Sequence, residues 1–266
     1  MKIKDNCWKI SGQTGSYFLK KYRSRQTFEK VAELQRALQP KLPFLVPALA
    51  FEEPFIVYKW LSARAADYND IADCREVFQM LQMFHKEGQQ LIDVAPPLQL
   101  EAKWHYRLHQ FESLQPTLQP MLGRFYDDLV RISEFTLLRA PFPKGEMTLL
   151  HGDVAHHNFL FSKDKNEPYM IDLDLAVVGT PAEEIILWLH RLLPHFHYDL
   201  VALLEALPEL EAYSPYFGLL LFPNEILREW LFFYEHEDVH PYLRAMTVVA
   251  IERWPSLHQQ IEALQV

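Results

Sequence analysis

Two short polar segments stand between apolar runs: His151-Gly152-Asp153-Val154-Ala155-His156-His157-Asn158 and, with its first acid fourteen residues past Asn158, Ile171-Asp172-Leu173-Asp174. The runs around them, Thr148-Leu149-Leu150, Phe159-Leu160-Phe161 and Tyr169-Met170-Ile171, read as short strands bounded by polar turns. Carboxylates and an amide beside buried strands are costly to desolvate unless they are paired or hold a cation. Asp153, Asn158 and Asp172 suit such a site. An amide oxygen and carboxylates are hard ligands for Mg²⁺, which takes one or two carboxylates and completes its shell with water and phosphate oxygens. A further Asp can accept a proton from a hydroxyl.

The elements that must hold these residues fall into two parts. Over residues 1–61, Cys7 to Ile10 and Ser16 to Tyr22 read as a hairpin about a Gly12 to Gly15 turn. Thr27 to Leu38 reads as a short helix capped by Thr27 and stopped by Pro40, and Phe44 to Phe51 and Phe55 to Leu61 read as two more strands. From Asp67 on, helical periodicity dominates, at about 70–90, 101–113, 121–138, 182–193, 198–207, 216–236 and 239–264, with the strands of 147–175 as an interruption. The expected class is α+β, with a β-rich N-terminal lobe over 1–61 and a mostly helical lobe over 62–266.

Composition narrows the rest. Of 266 residues 49% are apolar and 23% charged, as in folded globular chains. Neither a membrane-length apolar run nor a signal-like start occurs, so a cytoplasmic location and no membrane partner are expected. Two cysteines, Cys7 and Cys74, are too few for a disulfide framework and read as free thiols. The 8 glycines form neither a G-x-G-x-x-G nor a Walker A loop. A net charge of −9 argues against nucleic-acid binding, which needs a basic surface. The charge is uneven: residues 1–61 hold 11 Lys and Arg against 5 Asp and Glu, and the remainder 15 against 30. A basic part suited to phosphate and an acidic part suited to a cationic partner follow, with solvated surface charge as the plainer explanation.

With these segments in view, the sequence resembles the aminoglycoside phosphotransferase and choline kinase superfamily, which has a protein-kinase-like fold. His151 to Asn158 resembles its catalytic loop H-G-D-x-x-x-x-N, and Ile171 to Asp174 its metal-binding segment, in the form most similar to the spore-coat and thiamine-kinase-like branch. The resemblance spans essentially the whole chain. It implies an ATP-dependent phosphotransferase that moves the γ-phosphate to a hydroxyl of a small acceptor, with ATP and Mg²⁺ as donor and cofactor. By position Asp153 is implied as catalytic base, Asn158 and Asp172 as Mg²⁺ ligands, and His151 as a brace of the loop. Lys20 is implied as the phosphate-pairing lysine, preferred to Lys21 because side chains alternate along a strand. Its acid partner is expected from the short helix, where Glu29 and Glu33 lie one turn apart, with Glu33 favoured. Lys59 and Leu61 are implied as backbone contacts to the adenine, with Tyr58 behind the ring. For Asp174 a second metal, the acceptor and a loop hydrogen bond all stay open.

The match departs from the family at two places. The chain begins near the second strand of the phosphate-covering hairpin, so a shortened or absent first strand is expected, and Gly179 to Glu184 stands where G-D-P-x-x-D is usual. The acidic second part makes a cationic acceptor the expectation, and the aromatic run Trp230 to Tyr234 reads as core or as an amine cage. The competing expectation is a pseudokinase that uses the same shell as a structural or regulatory binding protein.

Overall fold

The computed structural model describes residues 1–13 and 15–264. The chain divides into two compact units, Met1–Pro97 with Glu146–Pro181, and Leu98–Gly145 with Ala182–Val266.

The first unit opens with strands β1 (Lys2–Lys4), β2 (Cys7–Gly12) and β3 (Gly15–Lys21), helix α1 (Arg25–Leu38), and strands β4 (Ala48–Glu52) and β5 (Phe55–Lys59). The strands form one antiparallel sheet in the order β1-β2-β3-β5-β4. The first strand of the hairpin is therefore present, as three residues. Of the expected Gly12 to Gly15 turn, Thr14 lies outside the described residues, while Gly12 pairs with Gly15. Alternation along β3 puts Phe18 and Lys20 on an internal cleft and Leu19 and Lys21 on an outer groove.

Helix α1 starts earlier than expected. Its cap is Ser24, whose Oγ accepts the Thr27 N–H at 3.4 Å, satisfying a donor that the helix itself cannot. Phe28, Val31, Ala32, Leu34, Gln35 and Leu38 make its buried face. The strand expected from Phe44 begins only at Ala48, because Pro47 has no N–H for a ladder. Phe44 and Val46 bond to Met170 instead, at 2.8 and 3.1 Å.

The joint expected near residue 61 lies inside this first unit. Strand β6 (Ala63–Ala65) pairs with β8 (Phe159–Ser162), which pairs with β9 (Pro168–Met170), and so ties the segment after 61 to the polar loops. Helix α2 (Ile71–Gly88) follows, and its buried Asp73 takes both arms of the Arg64 guanidinium and the Asp67 N–H at 2.8 Å. Strand β7 (Thr148–Leu150) pairs with β10 (Val177–Gly179). The polar segments thus emerge from β7 and from β9, strands of two small sheets, each held by a paired neighbour.

The second unit is helical: α3 (Leu100–Ser113), α4 (Gln115–Leu122), α5 (Arg124–Arg139), α6 (Pro181–Leu192), α7 (Leu200–Ala206), α8 (Asn224–Phe233) and α9 (His240–Leu264). The helix expected over 216–236 is broken. Pro208–Leu221 forms 3₁₀ turns, and α8 starts only after Pro223, which can donate no helical hydrogen bond. Trp104, Trp188 and Trp230 are fully buried, with Trp104 stacked on Phe222 at 4.4 Å. Trp230 donates to Thr247 Oγ1 at 2.9 Å while Phe232 is 76% exposed, so the aromatic run is part core and part surface rather than a cage. Among the described residues no helix is long and apolar enough to cross a membrane.

Candidate active site

The loop after β7 is built around its first three residues. His151 is buried between the rings of Phe84 and Phe159. Its Nδ1 accepts the Asp153 N–H at 3.3 Å, which leaves the proton on Nε2, and Nε2–H donates to the Ile171 carbonyl at 2.8 Å. One imidazole therefore joins both polar segments. Gly152 has φ +80°, and a Cβ there would lie 1.9 Å from the Leu175 carbonyl oxygen. Only glycine fits, and this close approach sets the distance between the segments.

Asp153 and Asn158 are coupled across the loop. The Asn158 Nδ2 donates to the Asp153 Oδ2 at 2.9 Å and to its main-chain carbonyl at 3.0 Å. Asn158 is buried, and its main-chain carbonyl accepts the Ile171 N–H at 3.0 Å. With Nδ2 so spent, the amide offers its Oδ1 to a ligand. Tyr68 fixes the loop from the side, its hydroxyl donating to the Val154 carbonyl at 2.8 Å.

After β9 the chain turns sharply. Asp172 has φ +68°, an uncommon left-handed conformation for a residue with a Cβ, and its carboxylate accepts the Asp174 N–H at 3.4 Å. The turn presents both Asp172 and Asp174 to Lys20, whose ammonium lies 2.8 Å from Asp172 Oδ1 and 2.8 Å from Asp174 Oδ2. Burial disfavours the Lys20 charge, but the two carboxylates outweigh it and raise its pKa. The carboxylates diverge. Burial works against both charges, yet attraction and hydrogen bonding from Lys20 hold Asp172 below the usual range, while burial and the neighbouring Asp172 charge push Asp174 up. The Asp174 Oδ1 is buried and, among the described residues, accepts no hydrogen bond.

The acid expected to partner Lys20 is not where the sequence placed it. Glu33 points to solvent and Glu29 pairs with Arg25 at 2.8 Å, because the buried face of α1 is set by Val31, Ala32, Leu34 and Gln35 on its other side. The residue that α1 sends to the site is Lys30, whose ammonium donates to the carbonyls of Asp174 and Ala176 at 2.8 and 3.0 Å. Burial lowers the Lys30 pKa against the pull of Asp174. The only sequence signal for Lys30 is its place beside the buried Phe28 and Val31.

Lys20, Asn158 and Asp172 line one cleft of about 390 Å³, together with Tyr58, Lys59, Trp60 and Leu61 of the segment after β5. Phe18, Cys7, Val46, Met170 and Ile171 make its apolar walls. The Lys59 N–H is bonded to the Pro47 carbonyl at 3.1 Å, and the Tyr58 hydroxyl meets that of Tyr22 at 3.0 Å, where burial keeps both phenols protonated. Asp153 and Glu33 are not among the cleft's walls.

The sequence pattern of the phosphotransferase enzyme family (APH) matches residues 3–216. The chain belongs to this family. That makes it an enzyme of the small-molecule phosphotransferase class, the superfamily of aminoglycoside phosphotransferases and choline kinases. No curated protein matches it. Among solved structures it is similar to an aminoglycoside phosphotransferase from Alicyclobacillus acidocaldarius, with 15% identity, TM-score 0.67, and 98% of this chain and 92% of that one covered. A spectinomycin phosphotransferase in complex with ADP and spectinomycin gives 12% identity and TM-score 0.55, over 92% and 88%. A choline kinase from Streptococcus pneumoniae gives 10% identity and TM-score 0.50, over 95% and 91%. These likenesses establish the protein-kinase-like α+β fold, with its β-sheet N-terminal part and helical C-terminal part.

Proposed function

We propose that this phosphotransferase moves the γ-phosphoryl group of ATP to a hydroxyl of a small, cationic acceptor, with Asp153 as base and Lys20, Asn158 and Asp172 on the phosphate side. The observation that carries this reading is the convergence of Lys20, Asn158 and Asp172 on a cleft whose far wall is Tyr58 to Leu61. The cleft is apolar where a purine would lie and charged where phosphates would lie, which is what a nucleotide demands. With its N–H engaged, Lys59 offers a purine its carbonyl, and Leu61 its backbone N–H.

The donor set fits Mg²⁺: the Asn158 Oδ1, the Asp172 carboxylate and the buried, unbonded Asp174 Oδ1 are all hard oxygens. Bound there, Mg²⁺ would neutralise charge on the phosphate oxygens. Lys20 adds a point charge on the same side. Asp153, held in place by the Asn158 amide at Oδ2, would orient the acceptor hydroxyl and take its proton. Positioning and charge neutralisation supply most of the rate in phosphoryl transfer, so a rigid loop braced by His151 matters as much as any single group. The excess of acids beyond residue 61 motivates a cationic acceptor.

The test is a calorimetric titration with a non-hydrolysable ATP analogue, in Mg²⁺ and again in EDTA. Binding that weakens at least about tenfold in EDTA is expected, from the loss of charge-assisted contacts. Equal binding in both buffers would remove Asn158 and Asp172 from the assignment.

A further inference from the structure

Lys4 lines the same cleft as Lys20, Asn158 and Asp172. It stands at the tip of a hairpin, where Asp5 and Asn6 join β1 to β2 and Asn6 takes φ +64°. The turn is pinned on both sides. The Lys2 ammonium lies 2.6 Å from Asp5, and the Asn6 carbonyl accepts the Lys21 N–H at 2.8 Å. Lys2 is thus spent on the turn, whereas among the described residues Lys4 forms no ion pair.

The end of the cleft that Lys4 serves can be read from its neighbour. Cys7, 1% exposed, pairs with Lys4 on one side and with Lys20 on the other, so the three side chains follow one another across the same face of the sheet. Lys4 therefore sits at the phosphate end, not at the Tyr58 to Leu61 end. Charge is needed there. Lys20 is shared between two carboxylates, which leaves that trio one negative charge in excess, and the Lys30 ammonium is taken up by the carbonyls of Asp174 and Ala176. The turn itself offers no glycine-rich stretch of backbone N–H groups to a phosphate, only Asp5 and Asn6.

We propose that Lys4 is a phosphate-binding residue, its ammonium closing over the phosphates of the bound nucleotide from the hairpin side in place of a glycine-rich loop. The assignment rests on the nucleotide reading given above, and it makes part of the affinity step from nucleoside to triphosphate depend on one exposed lysine, beside Lys20.

Calorimetric titrations of the wild-type chain, Lys4→Ala, Lys4→Arg and Lys2→Ala with adenosine, AMP, ADP and a non-hydrolysable ATP analogue in Mg²⁺ test it. For Lys4→Ala the triphosphate should bind roughly tenfold more weakly, from the loss of one charge-assisted contact, while adenosine binds within about twofold of wild type. Lys4→Arg should restore most of the triphosphate affinity, and Lys2→Ala, which removes only an exposed ion pair while the Asn6 to Lys21 main-chain bond still holds the turn, should bind within about twofold of wild type. An ATP analogue bound equally by Lys4→Ala and wild type would overturn the assignment of Lys4 and leave the phosphotransferase reading standing. So would a loss shared equally by adenosine and the triphosphate, which marks a structural defect. A wild-type chain that binds none of the four ligands would overturn the nucleotide reading and this assignment with it.

Discussion

Replacing Asp153 with Asn is expected to lower kcat by about a hundred- to ten-thousand-fold, the range that a positioned acid or base contributes, with nucleotide affinity nearly intact. The substitution keeps size and shape. The amide oxygen can still accept the Asn158 Nδ2–H that now bonds to Oδ2 at 2.9 Å, so the loop should hold its form. What is lost is the negative charge and the ability to take a proton. Because Asp153 is not a wall of the cleft proposed for the nucleotide, the ATP analogue should bind within about threefold of wild type. Steady-state kinetics with calorimetry separate the two effects. Transfer at the wild-type rate would remove Asp153 from its assigned role.

The second large effect is structural. Gly152→Ala should destabilise the protein by about 3 kcal/mol or more and abolish activity, because two penalties coincide. A side chain at φ +80° costs about 1–2 kcal/mol, and the new Cβ would start 1.9 Å from the Leu175 carbonyl oxygen, a rigid main-chain atom. The polar segments must then separate, which breaks the spacing that the His151 ring maintains between Asp153 and Ile171. Gly145→Ala is the control, since nothing lies within 4 Å of its Cβ position. Thermal unfolding should show a fall of roughly 6–12 °C for the first variant and little change for the second. Equal stability of the two would mean that the close approach at Gly152 is not a constraint.

The candidate catalytic segments were legible because their chemistry conflicts with their surroundings. Asp153, Asn158 and Asp172 interrupt apolar strands, and such polar groups need partners wherever the chain folds. The side of β3 taken by Lys20 was equally legible, since alternation is a local property. The partner of Lys20 was not. Helical periodicity gives the buried face of α1, but not which flanking residue reaches another segment, and the acids that Lys20 meets lie 152 and 154 residues away. Glu33 was a reasonable expectation from one-turn spacing alone, and the packing of Val31 and Gln35 turned it to solvent. The break at Pro223 was readable from proline's missing donor, although the apolar periodicity on both sides concealed it. A change in local character suggests a joint near residue 61, and it carries no sign that β6 pairs with β8, a contact between distant segments.

The local charge balance shows the same limit. The chain carries −9 overall, yet Lys4 and Lys20 both line the cleft, and Lys20 meets Asp172 and Asp174. Which charges face one another is decided by β3, the β1 to β2 turn and the strained backbone at Asp172, not by totals.

The most direct measurement is transfer itself: wild-type protein with Mg²⁺ and ATP labelled at the γ-phosphate, incubated with a panel of amine-bearing alcohols that includes choline, thiamine and aminoglycosides, each product read by mass. The expected result is one acceptor class that gains a phosphoryl group with wild type and gains it at least about a hundredfold more slowly with Asp153→Asn. Intact ATP with every member of the panel, from a protein that binds the nucleotide, would contradict transfer to a small cationic alcohol.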